Sequence, residues 1–439
     1  MSEIPPEKVH ETMKKYMLID GYDLVYDMEK SHGSYLHDAK TDREFLDFFS
    51  CFATMPIGHN HPKLLEEDFL NKLKKAAINK PSNSDIYTPE MAEFVQTFAD
   101  LAMPSEDFEH LFFISGGALA VENALKVAFD WKVRKNFQKG KKEVIGQKVL
   151  HFKDSFHGRT GYTLSLTNTF DPRKHQYFAK FDWPRVDVPQ LTFPVTEEVE
   201  KRVELEEAES IRQINAIIDR EGENIAALVI EPIQGEGGDQ HFRPEFFKKI
   251  RTICDENEIM LVFDEVQAGL GLTGKMWAYQ HYGITPDIVA FGKKTQVCGI
   301  MVSNRVDEVE NNVFEESSRL NSTWGGNLVD MVRCQKYLEI IEEENLVQNA
   351  KEVGEYMQNA LHDLEEKHKC ISNVRGEGLM IAFDLVSTEK RDQVFKSTYD
   401  NGLLVLKSGE RSIRFRPPLN LSKEEVDEGM AILDKAIAD

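Results

Sequence analysis

The residues best suited to chemistry lie at the ends of two apolar runs. Ile259-Met-Leu-Val-Phe-Asp264 is short, largely apolar and ends in an acid, with Gln267 three positions further on. Asp287-Ile-Val-Ala-Phe-Gly-Lys293-Lys294 is a second such run and ends in two lysines. Runs this short and apolar fit strands buried on both faces of a parallel sheet. Polar residues at the C-terminal ends of such strands face the ligand crevice. Asp264, Gln267 and one lysine, Lys293 or Lys294, are therefore candidates to meet over one ligand. An acid that keeps a ring nitrogen protonated and a lysine able to form a Schiff base are the groups that pyridoxal phosphate requires.

The elements that must position these groups recur along the chain. His110-Leu-Phe-Phe-Ile114 reads as a strand, Ser115-Gly-Gly-Ala118 as a turn, and Leu119–Lys135 as a helix with an apolar stripe. A helix start after a Gly-Gly turn offers free backbone N–H groups to an anion, although a tight turn without a ligand has the same sequence. A strand at 148–152 leads into Asp154-Ser-Phe156-His-Gly-Arg159, where Phe156 can stack on a flat ring and Arg159 can clamp a carboxylate. Core packing for Phe156 and plain solvation for Arg159 are the ordinary alternatives. A strand at 225–230 ends in Glu231-Pro-Ile-Gln-Gly-Glu236-Gly-Gly238, and an amphipathic helix follows at 244–256. Strands alternating with helices from about 110 to 293 mark an α/β domain with a mostly parallel sheet.

Both ends of the chain differ from this middle. The N-terminal part reads as a helix at 6–17 and short strands at 24–30 and 35–38. Residues 170–195 lack period and read as a long excursion, and 196–220 as a charged helix. Long helices run at 328–344 and 347–367. Strand-like runs follow at 378–384, 403–406 and 412–416, and Ser422-Lys-Glu-Glu425 is a capping box that opens the last helix. The division expected is an N-terminal segment of a small domain (1–65), a large domain (66–335) and a C-terminal small α+β domain (336–439).

Composition narrows the partners. Acidic residues outnumber basic ones 75 to 53, a net charge of −22 that repels phosphate backbones and argues against nucleic acid. Five cysteines are scattered without a Cys-x-x-Cys pair, the pattern of reduced thiols. The start lacks the basic and apolar regions of a signal peptide, and no apolar run is long enough to cross a bilayer. A cytoplasmic location and no membrane partner are expected.

Two motifs compete with the main reading. His59-Asn-His61 invites a metal, but has no third ligand nearby in sequence and reads as a structured turn; no metal is expected. Gly269-Leu-Gly-Leu-Thr-Gly274 satisfies the dinucleotide fingerprint, with Asp287 at roughly the right distance. Its first glycine does not follow the strand directly, however, and Asp264-Glu265 brings charge where a pyrophosphate would approach.

Taken together, the chain resembles the class III aminotransferases, pyridoxal-phosphate enzymes of fold type I. The stretches that carry the resemblance are Gly58-His-Asn-His-Pro62, Ser115-Gly-Gly-Ala118, Phe156-His-Gly-Arg159, Glu231 to Gly238, Asp264-Glu-Val-Gln267, Phe291-Gly-Lys-Lys294 and Ile413-Arg-Phe-Arg-Pro-Pro-Leu419. They span nearly the whole chain in the family's order. The resemblance implies a seven-stranded, mostly parallel sheet with helices on both faces, and a small domain built from both chain ends. It selects Lys293 as the lysine attached to the cofactor, because the family places that lysine 29 positions after the aspartate.

The same resemblance implies the remaining roles. Asp264 pairs with the ring nitrogen, Gln267 meets the ring hydroxyl and the substrate, and Phe156 stacks on the ring. The Gly117 and Ala118 amides hold the phosphate, and Thr323 reaches the phosphate of a partner subunit, so that a homodimer shares its sites. Arg159 and Arg414 match positions that hold substrate carboxylates, and Glu236 is expected to neutralise Arg414 when no carboxylate is there. Within the family, the stretches 116–124, 292–299 and 321–328, and Leu272 where other members carry Arg, lie nearest the branch acting on the ε-amine of L-lysine. The expected reaction is ping-pong transfer of that amine to 2-oxoglutarate, giving 2-aminoadipate 6-semialdehyde and L-glutamate. An ornithine or 4-aminobutyrate enzyme is the alternative within the class. A racemase or aminomutase, or a pyridoxal-binding regulator, lies further off.

Overall fold

The computed structural model describes residues 4–438; residues 1–3, at the start where no signal-peptide pattern is read, and residue 439 lie outside them. Two early strands, β1 (Tyr35–Asp38) and β2 (Arg43–Asp47), form an antiparallel pair with Tyr35 opposite Leu46. Seven strands then build the central sheet: β3 (His110–Ile114), β4 (Lys148–Phe152), β5 (Arg185–Val186), β6 (Ile225–Ile230), β7 (Met260–Asp264), β8 (Ile288–Phe291) and β9 (Cys298–Val302). Their order is β3-β9-β8-β7-β6-β4-β5. Only β9 runs against its neighbours; β8, β7, β6, β4 and β5 pair in parallel.

Alternation across this sheet explains why its strands read as unbroken apolar runs. Every residue of β6, β7, β8 and β9 is buried. In β7, Met260 and Val262 pack with Ala120, Val121, Ala124 and Leu125 of the helix Gly117–Gln138. Leu261 and Phe263 face the other way, into the cluster of Phe94, Phe98, Phe247 and Met331 from helices on the opposite face. Both faces are covered, so neither needs polar positions.

The C-terminal part supplies β10 (Ile371–Glu377), β11 (Met380–Leu385), β12 (Leu403–Leu404), β13 (Leu406–Ser408) and β14 (Ser412–Phe415). Four of them form an antiparallel sheet, β10-β11-β14-β13. The fifth, β12, pairs in parallel with β2, Leu403 opposite Leu46, and ties the two ends of the chain into one small sheet.

Several expectations for individual elements change. Residues 24–30 form no strand: Tyr26 makes one isolated bridge to Asp38, and the Asp27 carboxylate caps the amides of Glu29 and Lys30 in a turn. The N-terminal helix stops at Lys14. The strand β10 and the helices Gly161–Leu166 and Thr388–Asp400 are elements that periodicity does not announce. In β10, Asn373 adopts a left-handed φ of 55° and shifts the register between Ser372 and Arg375, which breaks the alternation. In Thr388–Asp400 only Arg391, Val394 and Thr398 are buried, too few for an apolar stripe.

The two competing motifs also find structural uses. His59 lies buried between Asp47 (Nε2 to Oδ2, 2.9 Å) and the Tyr26 hydroxyl (3.0 Å), whereas His61 turns to Glu344. The Gly269–Gly274 stretch opens no regular helix; it forms turns on which the C-terminal segment sits. A Cβ on Gly378 would come within 2.5 Å of the Thr273 carbonyl carbon, and the Leu379 amide donates to the Leu272 carbonyl.

Candidate active site

A cavity of about 320 Å³ opens beyond the C-terminal ends of β4, β6, β7 and β8. Gly117, Ala118, Phe156, Arg159, Glu236, Asp264, Gln267 and Lys293 all line it. Eight of the residues singled out in sequence therefore converge. Arg414 stands behind them, joined to two of the lining side chains.

One end of the cavity is a helix start. Gly116 caps Gly117–Gln138 with φ of 108°, and the first intrahelical bond runs from the Ala120 amide to the Gly116 carbonyl. The amides before it have no partner within the helix and carry the positive end of its dipole. The helix end sits tightly on the loop after β7, since a Cβ on Gly117 would lie 2.8 Å from Val266 Cγ1. Gly158 closes the other side: with φ of 129°, it allows its loop to approach the Ala118 Cβ, which a Cβ there would meet at 2.5 Å.

At the floor, Asp264 is the last residue of β7. Its Oδ2 pairs with His157 Nδ1 at 2.8 Å and its Oδ1 accepts from the Val266 amide at 3.1 Å. Burial disfavours charge on His157, but the hydrogen bond and charge of Asp264 outweigh it and raise the imidazole's pKa. Nearby, Glu231 accepts from the amides of Phe156 (2.9 Å) and Gly235 (3.1 Å), and burial pushes its carboxyl up to about 7. Phe156 itself is half-buried at the cavity wall.

The two lysines after β8 differ sharply. Lys294 turns into the core and donates to the Gln267 carbonyl at 2.7 Å. Lys293 points into the cavity, and among the described residues its Nζ makes no hydrogen bond or ion pair. It adopts a left-handed φ of 53°, a costly conformation for a residue with a side chain and one that clusters at functional sites. Burial lowers its pKa to about 8, with Asp264 pulling only partly the other way.

Glu236 and Gln267 join the cavity to a charged cluster. Arg414 on β14 is 2% exposed; it donates to Gln267 Oε1 at 3.1 Å and to Glu236 Oε2 at 2.8 Å. Arg416 donates to the same Gln267 oxygen and pairs with Asp239. The second oxygen of Glu236 is held by Lys174. Burial alone would raise the Glu236 pKa, but the charges of Arg414 and Lys174 hold it below the usual range. Arg159 lies exposed at the rim without a hydrogen bond or ion pair among the described residues.

Thr323 is exposed and does not line this cavity; its carbonyl accepts from Ser84 Oγ at 3.3 Å. Sequence reading missed His157, Glu231, Lys174 and Arg416. Only Arg416 left a usable signal, because residues two apart on a strand share a face and Arg414 was already a candidate.

Residues 19–437 match the model of the aminotransferase class-III family. The chain belongs to the class-III aminotransferases. It is 50% identical over 438 residues to the L-lysine-epsilon aminotransferase of Mycobacterium tuberculosis, covering 98% of this chain and 96% of that one. A solved structure, lysine aminotransferase from M. tuberculosis in the internal aldimine form, superposes with a TM-score of 0.96 at 49% identity over 99% of each chain. A 4-aminobutyrate aminotransferase of Schizosaccharomyces pombe is 32% identical over 450 residues, covering 97% of this chain and 92% of the relative. Class-III aminotransferases work with pyridoxal 5′-phosphate, and the cavity fits it. Among the described residues, it offers amides without an intrahelical partner at a helix start for the phosphate, a buried carboxylate for the ring nitrogen and a lysine amine without a hydrogen bond or ion pair.

Proposed function

We propose that this aminotransferase moves the ε-amino group of L-lysine to 2-oxoglutarate, producing 2-aminoadipate 6-semialdehyde and L-glutamate. The observation that carries the reading is the Glu236–Arg414 pair, 2.8 Å apart beside the Lys293 amine. Next to the reacting amine, L-lysine has only methylene groups, whereas 2-oxoglutarate has a carboxylate. An unpaired buried arginine would disfavour the first substrate and a permanently neutralised one the second. A glutamate that pairs with Arg414 for one substrate and leaves it for the other accommodates both. The greater identity to the lysine enzyme than to the 4-aminobutyrate enzyme supports the same donor.

Bound in the cavity, pyridoxal 5′-phosphate supplies an aldehyde for the amine and a ring that withdraws electrons from the reacting carbon. The chain's residues prepare that chemistry. Asp264, fixed through His157 and the Val266 amide, would pair with the ring nitrogen and favour its protonated form. Gln267 would meet the ring hydroxyl and the substrate, Phe156 would stack against the ring, and the Gly117 and Ala118 amides would receive the phosphate. Lys293 would hold the cofactor, and its amine would serve as the base that moves the proton at the substrate carbon. Arg159 at the rim takes the carboxylate at the far end of either substrate. Donor and acceptor use one pocket in turn, which makes the kinetics ping-pong.

Thr323 serves the site of a second copy in a homodimer; its exposure outside its own cavity supports this. The five free cysteines fit a reducing cytoplasm. No helix among the described residues is long and apolar enough to cross a membrane. The test is a panel of amino donors without acceptor. L-Lysine should abolish the near-visible absorption of the holoenzyme, with ornithine and 4-aminobutyrate at least tenfold slower. Faster loss with either competitor would reassign the donor.

A further inference from the structure

Lys174 lies outside every motif discussed above. It closes the single turn Pro172–Lys174 in the 170–195 excursion, and the Asp171 carboxylate caps that turn by accepting from the Arg173 amide at 3.1 Å. Its side chain is about three-quarters buried and reaches Glu236 Oε1, while Arg414 holds Oε2. Arg416 and Asp239 form a separate fully buried pair in the same cluster. With that pair balanced, the group facing the substrate holds two cations and one anion.

We propose that Lys174 is a specificity-determining residue for the dicarboxylate half of the reaction, supplying the positive charge that lets Glu236 and a substrate carboxylate occupy the pocket together. This deepens the reading of Glu236 as a movable partner of Arg414 and rests on it. When Glu236 leaves Arg414, an anion three-quarters buried must keep a partner, because an unpaired buried charge is costly. Lys174 already holds its other oxygen, so the carboxylate can pivot about that contact without losing all pairing. The incoming carboxylate then meets Arg414, and Lys174, Arg414, Glu236 and the substrate carboxylate sum to zero. Without Lys174, the same complex would carry one excess negative charge. The L-lysine complex, with no carboxylate at Arg414, does not depend on the extra cation in this way.

Equilibrium binding tests the idea without turnover. Glutarate, an unreactive five-carbon dicarboxylate, is titrated calorimetrically into holoenzyme of wild type, Lys174→Met and Lys174→Arg. Lys174→Met should weaken glutarate about tenfold, the scale of one charge-assisted hydrogen bond, and Lys174→Arg should restore most of the affinity. In half-reactions, Lys174→Met should raise KM for L-glutamate by a similar factor and change kcat/KM for L-lysine far less. Glu236→Ala should show the opposite selectivity, impairing L-lysine more than L-glutamate. Equal losses for both substrates in Lys174→Met, unchanged glutarate affinity, or failure of Lys174→Arg to restore it would each overturn the proposal. Glutarate binding and the L-glutamate half-reaction do not involve L-lysine, so a wrong assignment of that donor would appear in the donor panel and leave this result standing.

Discussion

At the scale of single residues, burial lowers the pKa of both adjacent lysines, and the direction each side chain takes decides which amine is accessible for chemistry. Lys294 is spent on a backbone carbonyl, whereas Lys293 is left free in a cavity with its pKa lowered to about 8. An exposed lysine titrates near 10.4, so at pH 7.5 about a quarter of Lys293 is neutral, against roughly a thousandth of a surface lysine. In the cofactor-free protein, Lys293 should therefore acylate with a midpoint near pH 8, becoming reactive as pH rises through that value. Peptide mapping after brief labelling across pH 6–11 checks this; a midpoint near 10 would contradict it. The sequence showed Asp264 and the lysine pair because both sit at strand ends, where one dimension is enough. His157 and Glu231 stayed hidden because what makes them important, contact with Asp264 and with the Phe156 amide, spans 107 and 75 residues of chain.

At the scale of elements, the helix-start end of the cavity depends on close packing of two loops, through Val266 and Gly158, against the first turn of Gly117–Gln138. Gly158 is the most constrained, with φ of 129° and the Ala118 Cβ where its own would be. Gly158→Ala should displace either its loop or the first turn of Gly117–Gln138. Both backbone strain and overpacking count against it, about 2 kcal/mol of stability together. Urea unfolding measures that loss, and cofactor titration should show affinity reduced by tenfold or more; an unchanged cofactor affinity would mean that the helix start tolerates the shift. The parallel core was readable as elements because both faces of each strand are buried. The helix Thr388–Asp400 and β10 were not, since each buries too little in a regular pattern to leave a period.

At the scale of the whole molecule, Thr323 is exposed outside the cavity that the other proposed cofactor residues line. Assigned to the partner's site, it makes each cavity a product of two chains, and a mixed dimer can test that. Lys293→Ala should be inactive on its own, and Thr323→Ala should hold cofactor about tenfold more weakly. Co-expressed, they should form dimers in which one site carries both changes and the other neither. Such heterodimers, purified on two tags, should regain up to half of wild-type activity per dimer with wild-type cofactor affinity. If Thr323 acts within its own chain, no intact site forms and the recovered activity keeps the weak affinity.

The pairing of β12 with β2 has a consequence for synthesis. Leu46 and Leu403 are 357 positions apart, and ribosomes add about 5–20 residues per second. The early strand pair thus waits roughly 20–70 seconds for its third member, and Arg414 arrives later still. During that interval, the β2 edge is open to foreign strands. A chain released early would lack both its closing strand β12 and the proposed carboxylate partner Arg414, so premature termination should yield an exposed, inactive polypeptide.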